Sequence, residues 1–216
     1  MVDFNSKLKM TPTECTDISL DCESLGTAYN APILSIGAIQ FNRLTGKFGK
    51  EFYAEVNLRS AVKGAERGID PETIYWWIKQ QPTLAANMFD DSDVARARKV
   101  PIAQALFDFA DWFRGSGSPR VWTAGPMQDI AWMEHAYANQ AVGQSQPWNF
   151  RNVRDLRTLR ESALDVGFDY HKIPFKGREH HALDDAKWQA RVVIECTAAI
   201  MHKPRPDIDY DDPDDF

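Results

Sequence analysis

The sequence predicts an α/β protein in which a mixed β-sheet is flanked by helices within a single domain. Three observations carry that prediction. Three strand-like runs come first, strands alternating with helical spacings follow, and 216 residues is close to what one hydrophobic core serves. With 44% hydrophobic and 26% charged residues, the composition is that of an ordinary globular protein and excludes a fibrous, disordered or disulfide-stapled chain.

Asp17 to Cys22 reads as a short strand ending in acids, and Pro32 to Phe41 (PILSIGAIQF) as a central strand, with the turn SLGTAYNA between them. The linker NRLTGKFGKE leads into EFYAEVNL, completing a hairpin-like meander. In GIDPETIYWWIKQ, Asp70 is an N-cap with Pro71 at the first helical position, and the helix is expected to stop near Pro82. Ile102, Leu106, Phe109 and Phe113 form a helical stripe closed by Gly115. Arg120 to Ala124 is the next strand, MQDIAWMEHAYANQA a helix, RNVRDL a short strand and RTLRESALDVG a helix. The last helix runs from about His181 to Met201. DDSDVARARKV (90–100) and the Asp-rich C-terminus are expected to be loop and tail.

Formal net charge is −6, but residues 203–216 carry six Asp against Lys203 and Arg205, which leaves 23 basic and 25 acidic residues elsewhere. Global acidity therefore does not exclude a polyanionic substrate, because local fields steer ligands. Cys15, Cys22 and Cys196 form no CxxC pair, and their odd number suits a reducing compartment. The start of the chain lacks an apolar signal segment and no apolar run approaches a membrane span, so a cytoplasmic protein is expected.

Three segments carry chemistry. Asp21 and Glu23 stand i and i+2 at the end of a predicted buried strand, hence on one face. Carboxylates held that close repel, and a hard divalent cation is their natural partner. In VWTAGPMQDIAWM, Asp129 opens a helix after a strand and a Gly-Pro break; an acid there also stabilises the helix N-terminus. In EHHALDDAKWQA, a histidine pair begins the last helix and an aspartate pair lies one turn inside it. His181 and Asp185 are i and i+4, and His180 lies just before, where its ring can swing toward a site. Each segment alone is commonly structural.

Together and in this order they resemble the DEDDh exonucleases, the group of proofreading subunits, RNase T and oligoribonuclease. His180 and Asp185 fit the H-x4-D spacing, and Ala182, Leu183 and Ala186 match the HxALxDA form. PETIYWWIKQQP and WNFRNVRDLRTL are similar to segments of the phage DexA-type and exonuclease VIII-like branch, and the likeness covers roughly residues 17–200. The resemblance implies a ribonuclease H-like fold with a five-stranded mixed sheet. It implies that Asp21, Glu23, Asp129 and Asp185 hold two divalent cations, Mg²⁺ or Mn²⁺, and that His180 is the general base. The substrate implied is single-stranded DNA or RNA, cut from the 3′ end to 5′-mononucleotides. Residues 1–16 would then be an N-terminal extension, 17–202 the exonuclease domain and 203–216 an acidic tail.

For substrate contacts the resemblance points to Ser24, Leu25 and Gly26, with Leu25 as a wedge between bases and Gly26 admitting close backbone approach. Trp76 or Trp77 is a candidate stacking platform, and since neighbouring helical positions face different ways, at least one is expected in the core. Lys172, Lys176 and Arg178, and the run Arg151, Arg154, Arg157 and Arg160, are candidate phosphate contacts. His181 is the rival base. The alternatives in function are a nucleic-acid-binding or partner-inhibiting protein without turnover, and a phosphodiesterase acting on dinucleotides.

Overall fold

The computed structural model describes residues 15–202 apart from 64–67, 81, 118 and 142; the expected N-terminal extension before residue 15 and the acidic tail 203–216 lie outside the described residues. Strands β1 (Asp17–Ser24), β2 (Ile33–Phe41), β3 (Phe48–Glu55), β4 (Arg120–Thr123) and β5 (Val153–Asp155) form one sheet in the order β3-β2-β1-β4-β5. The leading meander is antiparallel, while β4 and β5 run parallel to β1. That is the mixed five-stranded sheet expected.

The period of 2 in β1 divides its residues between two faces. Ile18, Leu20 and Cys22 enter one core with Phe109, Phe113, Met133 and Tyr137 from helices α5 (Ile102–Arg114) and α6 (Asp129–Gln140). Asp17 and Asp21 face the other way, where Trp122 Nε1 donates to Asp17 (2.8 Å) and Gln189 Nε2 donates to Asp21 (2.7 Å). On that face a second core joins Ile39, Phe41 and Trp122 to α7 (Leu156–Asp165) and α8 (Ala182–Ile200). Asp17 is wholly buried and balanced by the partly exposed Arg43 and Arg120, the latter tying β1 to β4.

Gly37 lies opposite Asp21 in the β1–β2 register. A Cβ at Gly37 would overlap the backbone of Ala182 and Leu183, so the missing side chain is what lets the start of α8 lie directly on the sheet. Residues 180–185 thereby reach the acids of β1.

Between β3 and α5 the described residues form four helices, α1 (Leu58–Ala61), α2 (Pro71–Gln80), α3 (Pro82–Phe89) and α4 (Asp93–Arg98). Asp70 caps α2 as expected, accepting from Glu72 N and Thr73 Oγ1. α2 ends at Gln80, near Pro82 as expected. Pro82 follows α2 but also opens α3, because a first-turn proline lacks only an N–H that the helix leaves unbonded anyway. The segment 90–100, expected as loop, contains α4: Ser92 Oγ caps it by accepting from Ala95 N, and Asp91 binds both Arg96 and the distant Arg59. Among the described residues no helix is long and apolar enough to cross a membrane.

Candidate active site

A cleft of about 510 Å³ opens at the carboxyl ends of β1 and β4 and is lined by Asp21, Glu23, Asp129, His180 and Asp185. Three pieces of local structure place them. The alternation of β1 turns Asp21 and Glu23 to the α8 side; the Gly125–Gln128 turn starts α6 so that Asp129 Oδ1 accepts from Cys22 N (3.1 Å); and the Gly37 contact seats Asp185 above Asp21. One oxygen each of Glu23 and Asp185 and one ring nitrogen of His180 all lie within 4.8 Å of one another.

This concentration of carboxylates controls their protonation. Burial first, then the charge of Asp129, raises Asp21 well above the usual carboxylate range, against the lowering bond from Gln189. Burial and the charges of Asp21, Asp185 and Asp129 do the same to Glu23. Asp129 is pushed up to about 7, mainly by burial and against the Cys22 N–H, and Asp185 to about 8 by burial and then by Asp21. The donor set, four carboxylates with the buried and unbonded Oε1 of Gln189 beside Asp21, suits hard divalent cations with oxygen ligands.

A stability prediction follows from these shifts. Carboxyls whose folded pKa exceeds the unfolded value favour the fold while protonated, and that contribution fades as pH rises from about 4 toward the folded values of about 7 and 8. Metal-free protein is therefore expected to lose stability between pH 5 and 8, and saturating Mn²⁺ at pH 8 to restore roughly 2 kcal/mol or more. Thermal melts with chelator and with Mn²⁺ across that range check it; a flat chelator profile would contradict the buried cluster.

The two histidines have different situations. His180 has φ +62°, the left-handed region, and that backbone turn aims its ring into the cleft. Burial lowers its pKa, so the ring is neutral and able to accept a proton at neutral pH. His181 is not on the helical face shared with Asp185. It is the N-cap of α8, accepting from Asp184 N, stacking on Tyr53 (4.4 Å between centroids) and meeting Arg178 Nη2 at 2.8 Å. The i,i+4 expectation for His181 fails because a cap residue has left helical geometry.

The expected substrate contacts are mostly placed otherwise. Leu25 is 3% exposed and packs with Leu34, Trp77 and Ala85, so in this structure it is no wedge. Ser24 is buried, with Oγ donating to Gly26 O, and the space above Gly26 is filled by Gly68 O. Trp77 is the core member of its pair, donating from Nε1 to Ser24 O, while Trp76 is 38% exposed and meets the His180 ring edge-on at 4.7 Å. Arg178 is held by Asp184 and His181, Lys176 does not line the cleft, and Lys172 faces a different cavity beside Asp169. The basic residues that do line the cleft are Arg157 and Arg160 of α7, with Thr27, Gln128 and Trp188, which the sequence did not single out, alongside.

The comparisons with known proteins agree with this architecture. Residues 16–197 match the family described as the 3′-5′ exoribonuclease Rv2179c-like domain. Among solved structures, the nuclease domain of 3′hExo, a DEDDh family member bound to rAMP, superposes with a TM-score of 0.54 at 16% identity, covering 90% of this chain and 98% of that one. Pop2p from S. pombe, in its Mg²⁺- and Mn²⁺-bound form, gives 0.53 at 18% identity, covering 85% and 83%. No curated protein matches the chain. The fold is thus ribonuclease H-like, and the chain belongs to the Rv2179c-like family of 3′-5′ exoribonuclease domains, which are phosphodiester hydrolases.

Proposed function

We propose that this protein removes nucleotides singly from the 3′ end of single-stranded RNA and releases 5′-mononucleotides. The observation that carries the reading is the convergence of Asp21, Glu23, Asp129, Asp185 and His180 in one cleft of a 3′-5′ exoribonuclease-family chain. In this reading the four carboxylates hold two Mg²⁺ or Mn²⁺ ions, which when bound activate water and neutralise charge on both the attacking and the leaving oxygen. His180, neutral and aimed into the cleft, accepts the proton of the attacking water. Gln189 fixes the Asp21 carboxylate, and the Cys22 N–H fixes that of Asp129. Trp76 and Trp77 hold the His180 ring edge-on rather than offering two faces to a base. RNA is preferred over DNA as substrate on the family description. The similarity of PETIYWWIKQQP and WNFRNVRDLRTL to the phage DexA and exonuclease VIII-like branch is a narrower placement within the same reading.

The proximity of His180 to Glu23 and Asp185 favours one second reading, in which His180 is itself a metal ligand. Matched 3′- and 5′-labelled RNA and DNA oligonucleotides, incubated with Mg²⁺, Mn²⁺ or chelator, test the main one. A ladder shortening from the 3′ end, faster on RNA and abolished by chelator, is expected. Chelator-resistant or internal cleavage would overturn it, and binding without turnover would favour the non-catalytic alternative.

A further inference from the structure

Two cations on the α7 wall of the cleft have no part in the chemistry above. The Arg157 guanidinium lies against Gly125, where a Cβ would meet its Nη2 at 3.4 Å, and its charge lowers the pKa of Asp129 across the cleft, against the burial that raises it. The Arg160 guanidinium is sandwiched 5.0 Å from the ring centroids of both Tyr170 and Trp188, with its buried Nε unbonded. The remaining members of the run turn elsewhere, Arg151 to the Phe150 ring and Arg154 to the carbonyls of Arg151 and Val153.

Direction comes from the reaction geometry. Glu23, His180 and Asp185 crowd together on one side of the cleft, and Asp129 is not of that group. If the nucleophile is generated beside His180, in-line displacement sends the leaving 3′-oxygen the opposite way, toward Asp129 and Gly125. The rest of the strand must then leave past Arg157. Charge agrees: two divalent ions would balance the four carboxylates, so Arg157, whose charge already bears on Asp129, and Arg160 would leave net positive charge on this wall.

We propose that Arg157 and Arg160 bind the internucleotide phosphate one step 5′ of the scissile one, so that the enzyme grips its substrate by the penultimate nucleotide. Arg157 is the outer, adaptable contact, and Arg160 is pre-positioned between its two rings. The assignment rests on the exonuclease reading.

The experiment compares two diribonucleotides that differ only in a 5′-phosphate, which stands where that internucleotide phosphate would be. Parent enzyme is expected to prefer the phosphorylated one, and Arg157→Gln to lower the ratio of the two kcat/KM values about tenfold, chiefly through KM. Arg160→Met, which keeps a side chain between the rings without charge, should lower the same ratio. Binding of a longer labelled RNA in an Asp21→Asn background gives a readout independent of turnover: Arg157→Gln should flatten the log–log salt dependence by about 0.7, one phosphate contact on a single strand. An unchanged ratio and slope, or equal losses on both dinucleotides, would overturn the assignment, the latter by placing Arg157 on the scissile phosphate. Parent protein inactive on every strand would sink the exonuclease reading, while the salt slope would still decide for or against Arg157.

Discussion

Asp21→Asn is expected to lower Mg²⁺- or Mn²⁺-dependent degradation of RNA by at least about 10³, while the metal-free protein melts at the same or a higher temperature than the parent. Removing a single preorganised electrostatic contact from an active site already costs ~10²–10³ in rate, and Asp21 is the carboxylate whose charge bears on both Glu23 and Asp185. The stability arm has an independent cause. Asn keeps an oxygen for the Gln189 Nε2 donor but removes one charge from a buried, mutually repelling group. Turnover assays and thermal melts with chelator measure the two arms separately. Activity that persists would remove Asp21 from the site, and a large loss of metal-free stability would mean that the Asp21 carboxylate stabilises the fold rather than straining it.

His180→Ala is expected to cost on the order of 10²–10⁴ in kcat, the usual range for loss of a general base. His181→Ala should cost less than about tenfold in rate but roughly 1 kcal/mol in stability, since it removes a helix cap and the stack on Tyr53. The Mn²⁺ concentration for half-maximal activity separates base from ligand: unchanged in His180→Ala if the ring only moves a proton, raised several-fold if it coordinates. The reverse ranking of the two variants would move the base to His181, against an orientation that turns His181 toward Tyr53 and Arg178.

How far the sequence could be read depended on whether the deciding contact was local. Alternation alone sorted Asp21 and Glu23 onto one face of β1, and capping chemistry at Asp70 and Pro71 fixed the start of α2. Asp129 was legible as an acid in a first turn. By contrast, α4 looks like a charged loop because one of its supports, Arg59, lies more than thirty positions upstream. The burial of Leu25 and Trp77 depends on α2 and α3 folding over the end of β1, which no spacing announces. The arginine run was visible as a period of three, but Arg151 and Arg154 precede the helix, so only Arg157 and Arg160 share the cleft-facing side of α7. Lys172, Lys176 and Arg178 were close in sequence to His180, and closeness along a loop did not translate into a shared surface.

The left-handed backbone at His180 sets two demands against each other. At φ +62° a side chain with a Cβ costs about 1 kcal/mol or more relative to glycine. The fold is supported there by the Arg178–Asp184 contacts and by His181 capping the helix, none of which needs the imidazole of residue 180. The residue best suited to the backbone at this position and the residue suited to proton transfer are therefore different. Apart from its edge-on contacts with Trp76 and Trp77, the imidazole is not needed by the backbone at this position, and under the proposed mechanism the cost of the left-handed turn would be borne for proton transfer.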